Sequence, residues 1–385
     1  VVAGAGLIAV TYGVARFGFG LQLTQLAAEF SLTPGTSGLI ASGSFAAYCV
    51  TALLARRVIE RRGGRRALWL AAALAAAGAV VVSLAWTAPV LALGILVAGS
   101  AAGAASPALV AAVSTTTPRE LVARRQAVVN AGTGIGVAAA GVVALFGPQT
   151  WRPVWIAAAV AALLTAAVVD RRTTWPPRPG DDHDPGQDPA AAPAGAATGE
   201  DGTRRPLLRP VLAAALAGLG SAAVWTFGRD LLTTVGQLPG RTTATLWVLL
   251  GATAVLGALS GDAVRVLGMR WAWWLTVALS AISTGVLALA AGDVVAAGIA
   301  VVVFGGSYTA LSGVLITWAG ALRPHSAGAA TATLFIALTA GQAAGSLLTG
   351  GLGAVLGPRA AFLVCSAVLV SAAVVPPHRP RAGRR

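Results

Sequence analysis

Lysine is absent from the 385 residues, and all 27 basic residues are arginine. In a chain so rich in alanine, glycine and valine, this reflects GC-rich coding rather than function. Charge of either sign is scarce: charged residues make up 10% of the chain, against about 25% in soluble globular proteins. Hydrophobic residues reach 56% and the mean hydropathy is +0.78, which excludes a single water-soluble core. Cysteine occurs twice, as Cys49 and Cys365, each alone in an apolar stretch. Two isolated cysteines build neither a disulfide framework nor a zinc site, and they read as small buried hydrophobes. The three histidines, His183, His325 and His378, fall in loops or the tail. No charged segment precedes the first apolar run, so no cleavable signal peptide is expected. The net charge of +14 raises nucleic acid as a partner. The arginines lie in short clusters between apolar segments, which excludes it.

Apolar segments are what the chain has in abundance. A helix needs about 20 mostly apolar residues to cross a bilayer. Twelve stretches qualify, near 3–24, 35–55, 67–87, 89–113, 122–147, 153–170, 208–235, 243–263, 271–291, 294–318, 327–353 and 359–376. They do not alternate as barrel strands do, so the expected fold is all-α, with twelve transmembrane helices. Arginine placement sets the expected orientation. With the N-terminus inside, 22 arginines fall on the cytoplasmic side and three, Arg152, Arg241 and Arg359, outside. Arg16 and Arg229 fall within spans. Both termini are therefore expected in the cytoplasm of a multi-pass cell-membrane protein of bacterial type.

Residues 171–207 are rich in proline, glycine, aspartate and alanine, with almost no large apolar side chains. Such a segment buries no core and is expected to be a disordered linker. It separates a six-helix bundle, 1–170, from a second, 208–376, and a basic tail follows at 377–385. The halves repeat. Gly63 pairs with Gly268, Gly99-Ser100 with Gly306-Ser307, and Pro118 with Pro324. The triplet Gly132, Gly136 and Gly141 pairs with Gly341, Gly345 and Gly350, and Gly147-Pro148 with Gly357-Pro358. Offsets drift only from 205 to 210, as a duplicated unit requires. Parallel six-helix halves with a long central loop are the plan of a secondary transporter, whose substrate site lies near the midplane between the halves.

This organisation resembles the major facilitator superfamily. The loop Arg56-Arg57-Val58-Ile59-Glu60-Arg61-Arg62-Gly63-Gly64-Arg65-Arg66 is similar to that superfamily's signature, with Glu60, Arg61, Gly63, Arg65 and Arg66 in place and Arg56 where a glycine is usual. The resemblance implies a gating loop in which Glu60 pairs with the positive N-terminal end of a neighbouring helix. Gly13-Val14-Ala15-Arg16-Phe17-Gly18-Phe19, Ser37-Gly38-Leu39-Ile40-Ala41-Ser42 through Tyr48, and Gly341-Gln342-Ala343-Ala344-Gly345 resemble the YbfB/YjiJ-type branch, which does not by itself define a substrate.

Arg16 carries the sharpest functional signal. A charge deep in a span is costly and normally faces the bundle interior. Its planar fork of donors suits carboxylate or phosphate. By the repeat offset it maps near Ser221, so the second half offers no matching cation. Tyr48, Asn130, Trp225, Ser307, Tyr308 and Gln342 complete the substrate-binding candidates. Each also has a plainer reading as packing or interhelical bonding. Asp230 is the acid placed within a span and the proton-coupling candidate, against an alternative reading as a rim salt bridge with Arg229. Glu29, Asp262 and Asp293 fall at span ends.

The expected function is a secondary active transporter, moving a small organic solute by alternating access. An anion fits Arg16, and proton coupling through Asp230 is open. A proton-driven multidrug exporter of the same fold is the alternative; it calls for a buried acid and a cavity for cations. Membrane enzymology needs paired carboxylates, metal-spaced histidines or a reactive cysteine on the spans. ATP-driven transport needs a nucleotide-binding glycine loop. The sequence offers none of these, so no enzyme activity, metal or cofactor is expected. The expected partners are the bilayer and a small-molecule substrate, with the chain acting as a monomer.

Overall fold

The computed structural model describes residues 1–147, 151–176 and 207–377. Among these residues every regular element is helical. Twelve rods follow in order: α1 Val2–Phe30, α2 Pro34–Arg62, α3 Gly64–Ser83, α4 Ala88–Thr116, α5 Arg119–Ala144 and α6 Trp151–Arg172. After the central segment come α7 Leu208–Thr234, α8 (Gly240–Ala254 continued by Ser260–Leu267), α9 Met269–Leu289, α10 Val294–Leu322, α11 Ala327–Leu356 and α12 Pro358–Ala372.

Ten of these helices are long and apolar enough to cross a bilayer, and the bent α8 makes an eleventh. The bend in α8 falls at a 3₁₀ stretch, Val255–Leu259. The last rod, α12, has 15 residues, about 22 Å at 1.5 Å per residue. It is shorter than the expected 359–376. Its end is fixed by α9: the Trp273 and Trp274 indoles donate to the carbonyls of Ala372 and Ala373 at 3.2 and 3.0 Å, and Pro376-Pro377 follow.

Local chemistry sets the helix ends. Thr33 caps α2, accepting from the Thr36 amide at 3.2 Å, with Pro34 as first helical residue. Asp293 caps α10, accepting from the amides of Val295 and Ala296. The paired glycines of the two halves serve one conformational purpose. Gly63 and Gly268 lie at φ +80° and +78°, and Gly147 and Gly357 at +116° and +86°. A side chain would be strained at such angles. Pro148 lies outside the described residues.

Lipid gives helices no hydrophobic reason to associate, so small residues that let backbones approach supply much of the packing. A Cβ on Gly132 or Gly136 of α5 would lie 2.2 or 2.0 Å from the carbonyls of Ala5 or Ala9 on α1. In the second half, Gly341 and Gly345 of α11 meet the Ala215 and Leu219 carbonyls of α7 at 2.0 and 2.1 Å. The same contact is built twice, with α1 and α7 in register at an offset of 210. This corrects one expectation: Arg16 corresponds to the Trp225–Thr226 step, not to Ser221.

The two halves meet along three helix pairs. Gly20 of α1 abuts the Trp225 carbonyl of α7, Gly38 of α2 the Ser346 carbonyl of α11, and Gly134 of α5 the Gly251 carbonyl of α8. These contacts lie midway along the rods or toward the arginine-poor end. Toward the arginine-rich end, α4 and α10 make no extended contact with each other. Most of the expected linker lies outside the described residues. Its first residues are ordered, because α6 continues to Arg172 and the Trp175 indole donates to Asp170 at 2.8 Å. The basic tail lies outside the described residues from 378 onward.

Candidate substrate site

Arg16 ends a π-helical segment, Ala9–Arg16, inside α1. A π turn holds one residue more than an α turn. Gly13 makes this segment fit, since a Cβ there would lie 2.4 Å from the backbone of Gly136. The Arg16 side chain crosses from the first half to the second. Its Nη2 donates to Thr339 Oγ1 at 2.8 Å and to Gln342 Oε1 at 2.6 Å, both on α11. Gln342 Nε2 in turn donates to the Tyr308 hydroxyl at 3.0 Å.

Aromatic rings surround the guanidinium. Its carbon lies 4.4 Å from the Tyr48 ring centre and 5.3 Å from those of Tyr12, Phe17 and Phe45. Each such contact contributes about 0.5–2 kcal/mol when desolvated. Tyr12 and Tyr48 share a hydroxyl hydrogen bond of 3.1 Å. On the other side Phe17 stacks on Trp225 at 4.2 Å, and Trp225 meets Phe304 and Tyr308 edge to face at 5.8 and 5.4 Å. All three tyrosines of the chain belong to this cluster.

Burying a charge costs several kcal/mol unless an opposite charge offsets it. No described carboxylate does so for Arg16. Glu29 pairs with Arg152, Glu60 with Arg56, Asp170 with Arg65 and Asp262 with Arg265, while Asp293 caps α10. Asp230 Oδ1 accepts from Thr24 at 3.0 Å. Thr24 is eight residues along α1 from Arg16, about 12 Å of helix rise. Asp230 therefore does not pair with Arg16. It lines a small recess of about 70 Å³ with Leu23, Ser37, Phe227, Thr349 and Phe362.

Of the substrate-binding candidates, Arg16, Tyr48, Trp225, Tyr308 and Gln342 come together. Asn130 and Ser307 do not join them. Asn130 accepts from Gln126 one turn earlier on its own helix, and Ser307 bonds Ser280 of α9 at 2.9 Å. Tyr12, Phe45, Phe304 and Thr339 belong to the cluster and were not singled out by the sequence. Tyr12 carried a signal, lying one turn before Arg16.

Arg229 is a tie between helices. Its Nη1 donates to the Leu21 carbonyl of α1, its Nε to Thr243 at 3.2 Å and its Nη2 to the Gly240 carbonyl of α8 at 3.3 Å. It makes no salt bridge with Asp230, because adjacent helix positions point apart.

The sequence matches the Major Facilitator Superfamily over residues 5–338. The chain belongs to that superfamily. No curated protein matches it. Among solved structures, a bacterial homologue of the human lysosomal transporter Spinster, in an inward-facing and unoccupied conformation, is similar with a TM-score of 0.76 and 17% identity, covering 97% of this chain and 94% of that one. A D-xylose-proton symporter gives 0.74 at 16% identity, over 97% and 95% of the two chains. A nucleoside transporter gives 0.73 at 10% identity, over 97% and 98%. At these identities the likeness concerns the fold. The chain is thus a multi-pass membrane protein of a transporter superfamily that binds small molecules.

The superfamily's signature loop is built here with partners other than those its pattern implies. Glu60 pairs with Arg56 on its own helix at 2.9 Å, not with a neighbouring helix end, and Arg61 is exposed. Gly63 makes the turn. Arg65 holds Asp170 with two bonds, Nε to Oδ1 at 2.8 Å and Nη2 to Oδ2 at 3.0 Å. Asp170 also accepts from the indoles of Trp69 and Trp175, at 3.2 and 2.8 Å. This acid ties α3 to the end of α6, and no sequence motif pointed to it.

Proposed function

We propose that the protein is a secondary active transporter for a small organic anion, bound at Arg16 between the two halves. The observation that carries this reading is a buried guanidinium bridging the halves with no described carboxylate beside it. Its neutral partners Thr339 and Gln342 and its four aromatic neighbours offset part of the burial cost without cancelling the charge. An anionic substrate would cancel it. Multidrug efflux of cations is the less favoured reading, since the central charge has the wrong sign.

We place the arginine-rich end in the cytoplasm. The halves are then closed on the outer face, and alternating access proceeds by breaking the α1–α7, α2–α11 and α5–α8 contacts. Asp230 and Thr24 span the closed α1–α7 pair. Opening that pair would expose the acid to the outside, which is where proton coupling would enter.

The test is substrate-induced thermal stabilisation of purified protein across a panel of organic anions, cations and neutral sugars, repeated on Arg16→Gln. Stabilisation by anions that Arg16→Gln abolishes is the expected result. A ligand that stabilises both proteins equally would remove Arg16 from the site.

A further inference from the structure

Which anion the site takes follows from what its polar atoms have already spent, on the reading that an anion binds at Arg16. Thr339, Gln342 and Tyr308 are joined in one hydrogen-bonded chain with Arg16, and Tyr12 and Tyr48 are joined to each other. Two buried side-chain atoms of the cluster have no hydrogen-bond partner, Arg16 Nε and Trp225 Nε1. Both are donors, and both flank Phe17. The guanidinium carbon lies 5.3 Å from the Phe17 ring centre, and Trp225 stacks on that ring at 4.2 Å.

Leaving a buried donor unmatched costs about 1–3 kcal/mol, so both donors favour a ligand with acceptors in two places. A sugar or nucleoside, which needs many partners, finds few groups uncommitted. A dianion finds a single central cation, because Arg229, the other arginine deep in the spans, is spent on Leu21, Thr243 and Gly240. Between the two donors the walls are rings: Phe17, Trp225, Phe304 and Tyr308 form a continuous set of aromatic contacts. These rings do not pack to closure. Tyr12 keeps 9% of its surface accessible and Arg16, Phe17 and Tyr308 keep 6% each, whereas Thr339 and Gln342 behind them keep none. The two unmatched donors are themselves closed to solvent, so a ligand reaches them as the halves part.

We propose that the substrate is an aromatic monocarboxylate with a second oxygen acceptor on the ring, its carboxylate on Arg16 and its ring oxygen on the Trp225 indole. Ring faces and edges attract aromatic ligands beyond their buried area, and a saturated ring of equal size lacks that term.

Isothermal titration of the purified full chain against 4-methoxybenzoate, benzoate, cyclohexanecarboxylate and succinate tests this. The expected order has 4-methoxybenzoate tightest, benzoate weaker by about fivefold, as one modest hydrogen bond provides, and the saturated acid and the dianion at least tenfold weaker than 4-methoxybenzoate. Trp225→Phe keeps the ring wall and should equalise 4-methoxybenzoate and benzoate. Arg16→Gln should lose all binding, and Arg16→Lys should restore part of it. Cyclohexanecarboxylate or succinate binding as tightly as benzoate, with sensitivity to Arg16→Gln, overturns the aromatic proposal and leaves the anion reading standing. Binding of none of the four acids overturns the proposal. A cation or sugar that binds equally well to Arg16→Gln overturns both readings. Should Arg16→Gln fail to fold, the Trp225→Phe comparison decides: an unchanged preference for the methoxy compound overturns the assignment of Trp225.

Discussion

Gly20→Ala places one methyl group where the halves touch. The added Cβ would lie 2.1 Å from the Trp225 carbonyl oxygen and 3.0 Å from that of Thr226. A carbon and a carbonyl oxygen rest at roughly 3.3 Å, so α1 and α7 must separate by about 1 Å at this crossing. Overpacking of this kind costs about 1–3 kcal/mol. The contact lies between the halves, so the cost falls on the state closed at the arginine-poor end and not on the fold of either half. The equilibrium should shift toward opening there by about fivefold to hundredfold, at roughly 1.4 kcal/mol per factor of ten. A reporter is available in Ser37, which is 2% exposed on the α2 face toward the second half. In a background carrying Cys49→Ala and Cys365→Ala, the rate at which Ser37→Cys reacts with a bulky maleimide follows the open population. Adding Gly20→Ala should raise that rate at least fivefold with the melting temperature changed little. An unchanged labelling rate in folded protein would refute the argument, because it would mean that the helix pair absorbs the methyl without opening.

Further outcomes follow from other contacts. Asp170→Asn weakens the junction of Arg65, Trp69 and Trp175 and should lower the melting temperature; an unchanged thermal melt would show the junction to be idle. Arg229→Met removes three interhelical bonds, which at membrane-protein values amount to about 2 kcal/mol, readable as easier unfolding in a denaturing-detergent titration. Gly341→Ala drives a Cβ to 2.0 Å from the Ala215 carbonyl within one half and should destabilise by about 1–3 kcal/mol. Gly351→Ala, with nothing within 4 Å, is its control and should be neutral or slightly stabilising.

The helical architecture and the duplication were legible because they rest on local rules. Apolar run length gives a helix, and a glycine that must bend a turn or admit a backbone recurs at the same place in both halves. Gly132 and Gly341 could be paired from spacing alone, although which carbonyls they meet could not. Arg16 was legible because a charge inside an apolar run has few innocent explanations. Its partners were not, since Thr339 and Gln342 lie more than 300 residues away and are ordinary hydrogen-bonding side chains until the halves dock. The same limit accounts for Asn130 and Ser307. A polar residue on a buried helix has several possible directions, and the pattern of its neighbours does not say whether it bonds within its own helix, across to the next, or into the centre. Asp170 is the converse case. A lone acid at a helix end looks solvated, and two tryptophans and an arginine from other segments make it a junction.

The lone charge at Arg16 also has an electrical consequence. On the proposed reading, with no described carboxylate beside Arg16, the empty site would carry one positive charge across whatever part of the membrane field it traverses when the halves rock, whereas a site loaded with a monoanion would carry none. A full crossing of 100 mV is worth about 2.3 kcal/mol per charge, and a partial one proportionally less. With the arginine-rich end inside, as proposed, a potential negative inside would act on the return of the empty carrier and not on the loaded step, drawing Arg16 inward and holding the unloaded protein with its site facing the cytoplasm.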